Sequence, residues 1–143
     1  MRRHRITASK CGDVISRGKD FDTLAARLTS GRSVTTKAMK QGIAREPMAA
    51  EAYATLKGVD ILPCGIVINK DCFWLAASPD RRVIDGQAQP SFGLLEIKCP
   101  EDQEGKTLAD LPYLKKEGDK LTLKEKTNYF RQVMMQMAVC GAQ

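Results

Sequence analysis

One histidine, His4, serves a chain of 143 residues, and no carboxylate or nucleophile is spaced to work with it. Catalysis built on a histidine base is thereby set aside, and His4 reads as a surface residue. Cysteine is sparse too: Cys11, Cys64, Cys72, Cys99 and Cys140 form an odd, scattered set of five with no Cys-x-x-Cys pair. That spacing argues against a zinc site and a disulfide framework, and it fits reduced thiols packed as small apolar groups. An intracellular setting, cytoplasm or nucleus of a host cell, follows as the expectation. Long apolar runs are missing as well. None approaches the roughly 18 residues of a membrane span, and Met1-Arg2-Arg3-His4-Arg5 lacks the apolar segment of a signal peptide. Neither a membrane partner nor secretion is expected, and no internal repeat is visible.

Positive charge is what the chain has in excess, with 23 Lys and Arg against 17 Asp and Glu for a net +6. Such a balance favours a polyanionic partner, although many basic proteins bind no nucleic acid. The length suits one domain, residues 1–143, around a single core.

The most informative stretch is Ser78-Pro79-Asp80, followed sixteen positions after Asp80 by Glu96-Ile97-Lys98. Phe73 to Ala77 is an apolar run ending at Pro79, and Gly93 to Lys98 is another ending at Pro100, so both predict short strands. The segment between, Arg81 to Phe92, carries Asp85-Gly86 and Pro90 and reads as a turn, so a hairpin is expected to carry Asp80 towards Glu96. On a strand, Glu96 and Lys98 share one face and Ile97 takes the other. Asp at a strand end and Glu-x-Lys on a strand are each commonplace turn and surface features. Their combination within the otherwise apolar run Leu94 to Cys99 is not, because charged residues rarely sit there without partners. Two carboxylates in proximity repel unless a cation joins them, and hard oxygen donors suit Mg2+, with Mn2+ as a substitute. Lys98 is then available to orient an attacking water, and the chemistry this set serves is metal-dependent phosphodiester cleavage.

Around these motifs the order predicted is helix, helix, strands, helix. Thr7 to Ile15 opens with Thr7 or Ser9 near its N-cap, and Asp22 caps Thr23 to Thr29, with Gly31-Arg32-Ser33 ending it. Lys37 to Leu56 is helical, but Pro47 predicts a start or kink at Glu46, with the helix closing at Gly58. Ile61 to Ile68, Phe73 to Ala77 and Leu94 to Cys99 form a mostly antiparallel set. Pro100 to Lys126, rich in lysine, reads as a solvated loop with a short helix, or as a basic wall suited to phosphates. From Lys126 to Cys140, Phe130, Val133, Met134 and Met137 form an apolar stripe, while Tyr129, Gln132 and Gln136 share another face that on periodicity alone is solvent-facing.

Asp80 with Glu96-Ile97-Lys98 resembles the PD-(D/E)XK nuclease core, and the rest of the chain resembles the phage lambda-type exonuclease, or YqaJ-like viral recombinase, branch of that superfamily. Arg5-Ile6-Thr7-Ala8-Ser9 is similar to the branch's N-terminal motif, Gly42 to Glu46 to its Gly-x-x-x-Glu motif, and Tyr129 to Gln132 to its Tyr-x-x-Gln helix. Four motifs in the family's order form a specific pattern, where PD-(D/E)XK alone is a weak one. The resemblance implies an α/β fold with a restriction-endonuclease-like core, a mixed, mostly antiparallel central sheet flanked by helices. It implies a Mg2+-dependent deoxyribonuclease, a 5′-to-3′ exonuclease on duplex DNA ends serving recombination. Partners implied are DNA ends, a single-strand annealing protein and further copies of the chain. Asp80, Glu96 and the Ile97 carbonyl would hold metal; Lys98 would act on the water; Glu46 and Gln132 would support the site. Arg2 and Ser9, helped by Arg5, match positions implicated in gripping a 5′-terminal phosphate, and Tyr129 joins the DNA-contacting set. Glu46 retains a second reading, a helix-start carboxylate favoured by the dipole. The family continues beyond the Tyr-x-x-Gln helix into a further strand and helix, which this sequence is expected to lack. Two other functions remain open: a non-catalytic DNA-binding module with a nuclease fold, and an endonuclease of the same superfamily.

Overall fold

In the computed structural model the described residues are 4–30, 35–100, 105 and 107–142. The chain runs β1 (Ile6–Thr7), α1 (Ala8–Ile15), α2 (Phe21–Thr29), α3 (Lys37–Lys57), β2 (Asp60–Pro63), β3 (Val67–Ile68), β4 (Leu75–Ala77), β5 (Arg81–Ile84), β6 (Phe92–Leu95), β7 (Leu114–Glu117), β8 (Lys120–Leu123) and α4 (Asn128–Cys140), with a 3-10 turn at Leu108–Asp110.

Strand β4 is the hub. It pairs parallel with β1, Ile6 opposite Leu75, and antiparallel with β3, Val67 opposite Ala77. Ala76 and Ala77 are fully buried, as is Pro79 just beyond them, and α4 packs against this strand. Alanines suit the place because short side chains let a helix lie close to the sheet. Helix α1 lies along α4, where a methyl added at Gly12 would come within 2.3 Å of Asn128 Oδ1, so the glycine leaves the room that the Asn128 side chain occupies. Cys11 is buried at the same seam and its thiol donates to the Arg131 carbonyl at 3.2 Å, the structural use expected of a free cysteine.

A second sheet, β2-β5-β6, is antiparallel throughout and buries Val83. Its register sets Arg81 opposite Leu95, so the chain enters β5 from Asp80 where it leaves β6 into Glu96. A third ladder, β7 with β8, turns through Gly118 at φ +60°, a left-handed value that glycine adopts without strain.

Several expectations change. The hairpin that brings Asp80 to Glu96 is β5 with β6; Arg81–Ile84 is a strand inside what the turn residues marked as a loop, and β4 belongs to another sheet. Glu96 to Cys99 lie beyond the end of β6, so strand alternation does not govern them. Ile61 to Ile68 is two strands in different sheets, separated at Cys64-Gly65-Ile66. Helix α2 starts after Asp20, at φ 56°, rather than after Asp22. Helix α3 runs unbroken through Pro47, which places Glu46 mid-helix and removes the helix-start reading. The missing N–H of Pro47 orphans one carbonyl, but Ile43 and Pro47 are both exposed, so water can take its place. The lysine-rich segment folds into β7 and β8. On α4, Met134 is 48% exposed whereas Gln136 is 2% exposed, so the polar stripe faces inward. The break at 31–33 lies outside the described residues.

Helix α4 is capped by Thr127, whose Oγ1 accepts from Phe130 N at 3.3 Å. Thr127→Ala is expected to cost about 1 kcal/mol of folding stability, read as a lower urea midpoint with an unchanged slope.

Candidate active site

The two hairpin ends meet through one bond. Ile97 N donates to Asp80 Oδ2 at 2.6 Å, tying the segment after β6 to the residue before β5. Arg81 continues the connection: its Nη1 donates to the Asp80 carbonyl at 2.6 Å and to Glu46 Oε1 at 2.8 Å, so one guanidinium fastens the middle of α3 to the hairpin. Helix α4 closes the other side. Gln132 Nε2 donates to Glu96 Oε1 at 2.5 Å and Gln136 Nε2 donates to Glu96 Oε2 at 2.6 Å, while Lys98 Nζ pairs with Glu96 Oε1.

Lys98 also lies 5.1 Å from the centre of the Tyr129 ring, against which Tyr113 packs edge-on at 4.6 Å. A cation over an aromatic face is attracted by the ring quadrupole, and this holds the lysine beside Glu96. Burial pushes the Tyr113 phenol up, and Tyr129 adds to that while Lys98 opposes it. Glu46, Asp80, Ile97, Lys98, Tyr113 and Tyr129 all line one open cavity of about 540 Å³ that extends along α3 past Met39 and Ile43.

The Asp80 carboxyl sits above its ordinary range. Burial raises it most, the Ile97 N–H lowers it, and the negative charges of Glu96 and then Glu46 raise it further against Lys98. Three acids thus feel one another in a partly dry cleft. Among the described residues, no three His, Cys, Asp or Glu side chains converge tightly enough to enclose a metal by themselves. Asp80 and Glu96, with a backbone carbonyl, nevertheless fit Mg2+, which keeps several waters and is typically bound by one or two carboxylates plus substrate phosphate. The all-oxygen donor set does not fit zinc in a structural site.

The N-terminal residues divide. Ser9, whose hydroxyl is 3.3 Å from Thr7 Oγ1, lines a small cavity of about 70 Å³ together with Ser78, Gln132 and Gln136. Arg5 donates from Nε to the Phe73 carbonyl at 2.9 Å and lines a separate apolar groove with Phe21, Leu24 and Trp74. Arg2 lies outside the described residues. Sequence reasoning passed over Arg81 and Tyr113 and left Gln136 on a solvent-facing stripe. Arg81 carried a signal, a cation directly after the acidic motif; Tyr113 carried none, standing in what read as a polar loop.

A family model described as YqaJ-like viral recombinase domain matches residues 1–143. Among solved structures, the chain is similar to the crystal structure of an alkaline exonuclease from Laribacter hongkongensis, at 27% identity and a TM-score of 0.69, covering 99% of this chain and 66% of that one. It is likewise similar to that protein in complex with dAMP, at 25% identity and a TM-score of 0.67, covering 99% and 67%. The chain therefore spans about two thirds of the length of these structures. The likeness places the α/β arrangement with the restriction-endonuclease-like fold. No curated protein matches the chain.

The raised Asp80 value has a thermodynamic sign. A carboxyl that holds its proton more tightly when folded contributes stability that is present below the unfolded value and lost as pH rises through the folded one. With divalent cations chelated, Asp80→Asn, which can still accept from Ile97, is expected to melt no lower than the parent at neutral pH. Any advantage should shrink on acidification, and thermal unfolding across pH checks both.

Proposed function

The chain belongs to the YqaJ-like viral recombinase family, and on that premise we propose that it is a metal-dependent deoxyribonuclease that degrades duplex DNA from its 5′ ends in the service of recombination. The observation that carries the reading is the meeting of Asp80, Glu96 and Lys98 at the junction of the β5–β6 hairpin with α4. The similar protein from Laribacter hongkongensis is named an alkaline exonuclease, which favours cutting at ends over internal cutting.

A bound Mg2+, or Mn2+ in its place, would be held by Asp80, Glu96 and the Ile97 carbonyl and would polarise the scissile phosphate and acidify a water. The chain's own groups do the rest. Lys98, fixed between Glu96 and Tyr129, is placed to orient the attacking water and to offset charge accumulating on the phosphate. Gln132 holds the Glu96 carboxylate from α4, and Arg81 keeps Glu46 turned towards Asp80. The open cavity along α3, bounded opposite by Tyr113 and Tyr129, is the course proposed for the duplex. Ser9, beside Gln132 and Ser78, is the described residue closest to a role in holding a 5′-terminal phosphate, with Arg2 its proposed partner. A net charge of +6 supports association with a polyanion.

Lys98→Ala is expected to lower the cleavage rate by at least about 100-fold while leaving folding and duplex binding largely intact. Digestion of end-labelled duplexes with and without a 5′ phosphate, in Mg2+ and in EDTA, checks it. Near-normal cleavage by the variant, or rapid cutting of closed circles by the parent, would overturn the reading.

A further inference from the structure

We infer that Gln136 is a positioning residue for the acidic centre, fixing Glu96 so that Oε2 is the oxygen offered to a divalent cation. The inference rests on the metal-dependent reading above and concerns a residue outside the Tyr-x-x-Gln motif.

Gln136 is the fully buried polar side chain among the described residues, 2% exposed, on a helix whose other inward positions are apolar or only partly covered. A buried amide is costly unless it is paired, and this one spends its N–H on a carboxylate oxygen at 2.6 Å. The atoms matter. A carboxylate oxygen has two lone-pair positions. Oε1 receives both Gln132 Nε2 and Lys98 Nζ, which uses both of its positions, whereas among the described residues Oε2 receives only Gln136. A cation that took Glu96 without displacing one of these donors would therefore be offered Oε2.

Position on the helix explains why two glutamines are needed. Gln132 and Gln136 are one turn apart on α4 and each holds one oxygen, so the carboxylate is gripped at both ends and cannot pivot. The helix itself is anchored against α1 and β4. Without Gln136 the carboxylate remains tethered only at Oε1, and the second oxygen can swing. Mg2+ demands near-ideal octahedral geometry, so a ligand oxygen that wanders is a poor one. Outer partners of metal ligands typically influence affinity or activity by 10–100-fold. A glutamine buried merely to fill space would show none of this dependence.

The test is calorimetric titration of Mn2+ into the full chain, without DNA, for the parent, Gln136→Met and Gln136→Asn. Methionine fills similar volume without an N–H, and asparagine keeps a buried amide but withdraws it by one methylene. Both are expected to bind Mn2+ about 10–100-fold more weakly. The metal concentration for half-maximal cleavage should rise in parallel, while both variants still unfold cooperatively in EDTA, at a melting temperature lowered by the lost hydrogen bond to Glu96. Mn2+ binding within twofold of the parent by either folded variant overturns the inference and leaves the nuclease reading standing. A parent chain that binds no Mn2+ overturns both.

Discussion

The site depends on a single constraint: carboxylates from three separate places must be held together although they repel. Asp80 precedes β5, Glu96 follows β6 and Glu46 projects from α3, and the charges of Glu96 and Glu46 both reach Asp80. What opposes the repulsion is a set of donors built into the backbone and side chains. The Ile97 N–H serves Asp80, Arg81 serves Glu46, and two amides with one ammonium serve Glu96. Their weights differ. Hydrogen bonds to charged groups contribute about 1.5–3 kcal/mol each, whereas an exposed ion pair contributes about 0–1 kcal/mol. Lys98 is 35% exposed along its side chain, so water screens its pairing with Glu96. The glutamines, more than the lysine, hold the carboxylate, which under the proposed reading would leave the lysine available for chemistry.

That division of labour explains the architecture around α4. The helix must bring two amides to Glu96 while its back is pinned, and the pinning comes from small residues: Gly12 on α1, and Ala76 and Ala77 on β4. Large side chains there would lift α4 and withdraw both glutamines at once. The Thr127 cap fixes the start of the helix less than two turns before Gln132, so its register against Glu96 is set close by. Packing at one end of the helix and hydrogen bonding at the other are one device.

Much of this was legible in the sequence. Asp80, Glu96 and Lys98 stood out because charges inside apolar runs need partners, and α1 and α4 followed from capping residues and periodicity. Other features were not legible, for identifiable reasons. Strand β5 begins with Arg81-Arg82 and runs into Asp85-Gly86, so its propensity is masked by charge and by its own turn. Strand β7, Leu-Lys-Lys-Glu, shows no alternation, and β8, Lys-Leu-Thr-Leu, alternates over four residues only, too short a run to stand out in a lysine-rich segment. Pro47 broke the reading of α3 because its penalty is judged in isolation, whereas an exposed helix lets water satisfy the orphaned carbonyl. Gln136 was the most instructive. Periodicity grades a glutamine as polar and turns it outward, but a carboxylate buried opposite makes inward the favourable direction.

The same logic bears on how a polyanion could approach so acidic a cleft. Glu46 and Glu96 each carry a protein cation or a pair of donors, so their negative charge is already partly offset, while among the described residues the Ile97 N–H is the donor to the Asp80 carboxylate. Burial, with the charges of Glu96 and Glu46, holds the Asp80 carboxyl above the ordinary range, and an added divalent charge there would offset that cost. Under the proposed reading, a divalent cation held near Asp80 would offset the charge that repels a phosphate, and Lys98 and Arg81 would add to the positive charge facing the duplex. The protein's donors make the acidic cluster tolerable in the folded chain, and under the proposed reading a cation would offset the charge that remains.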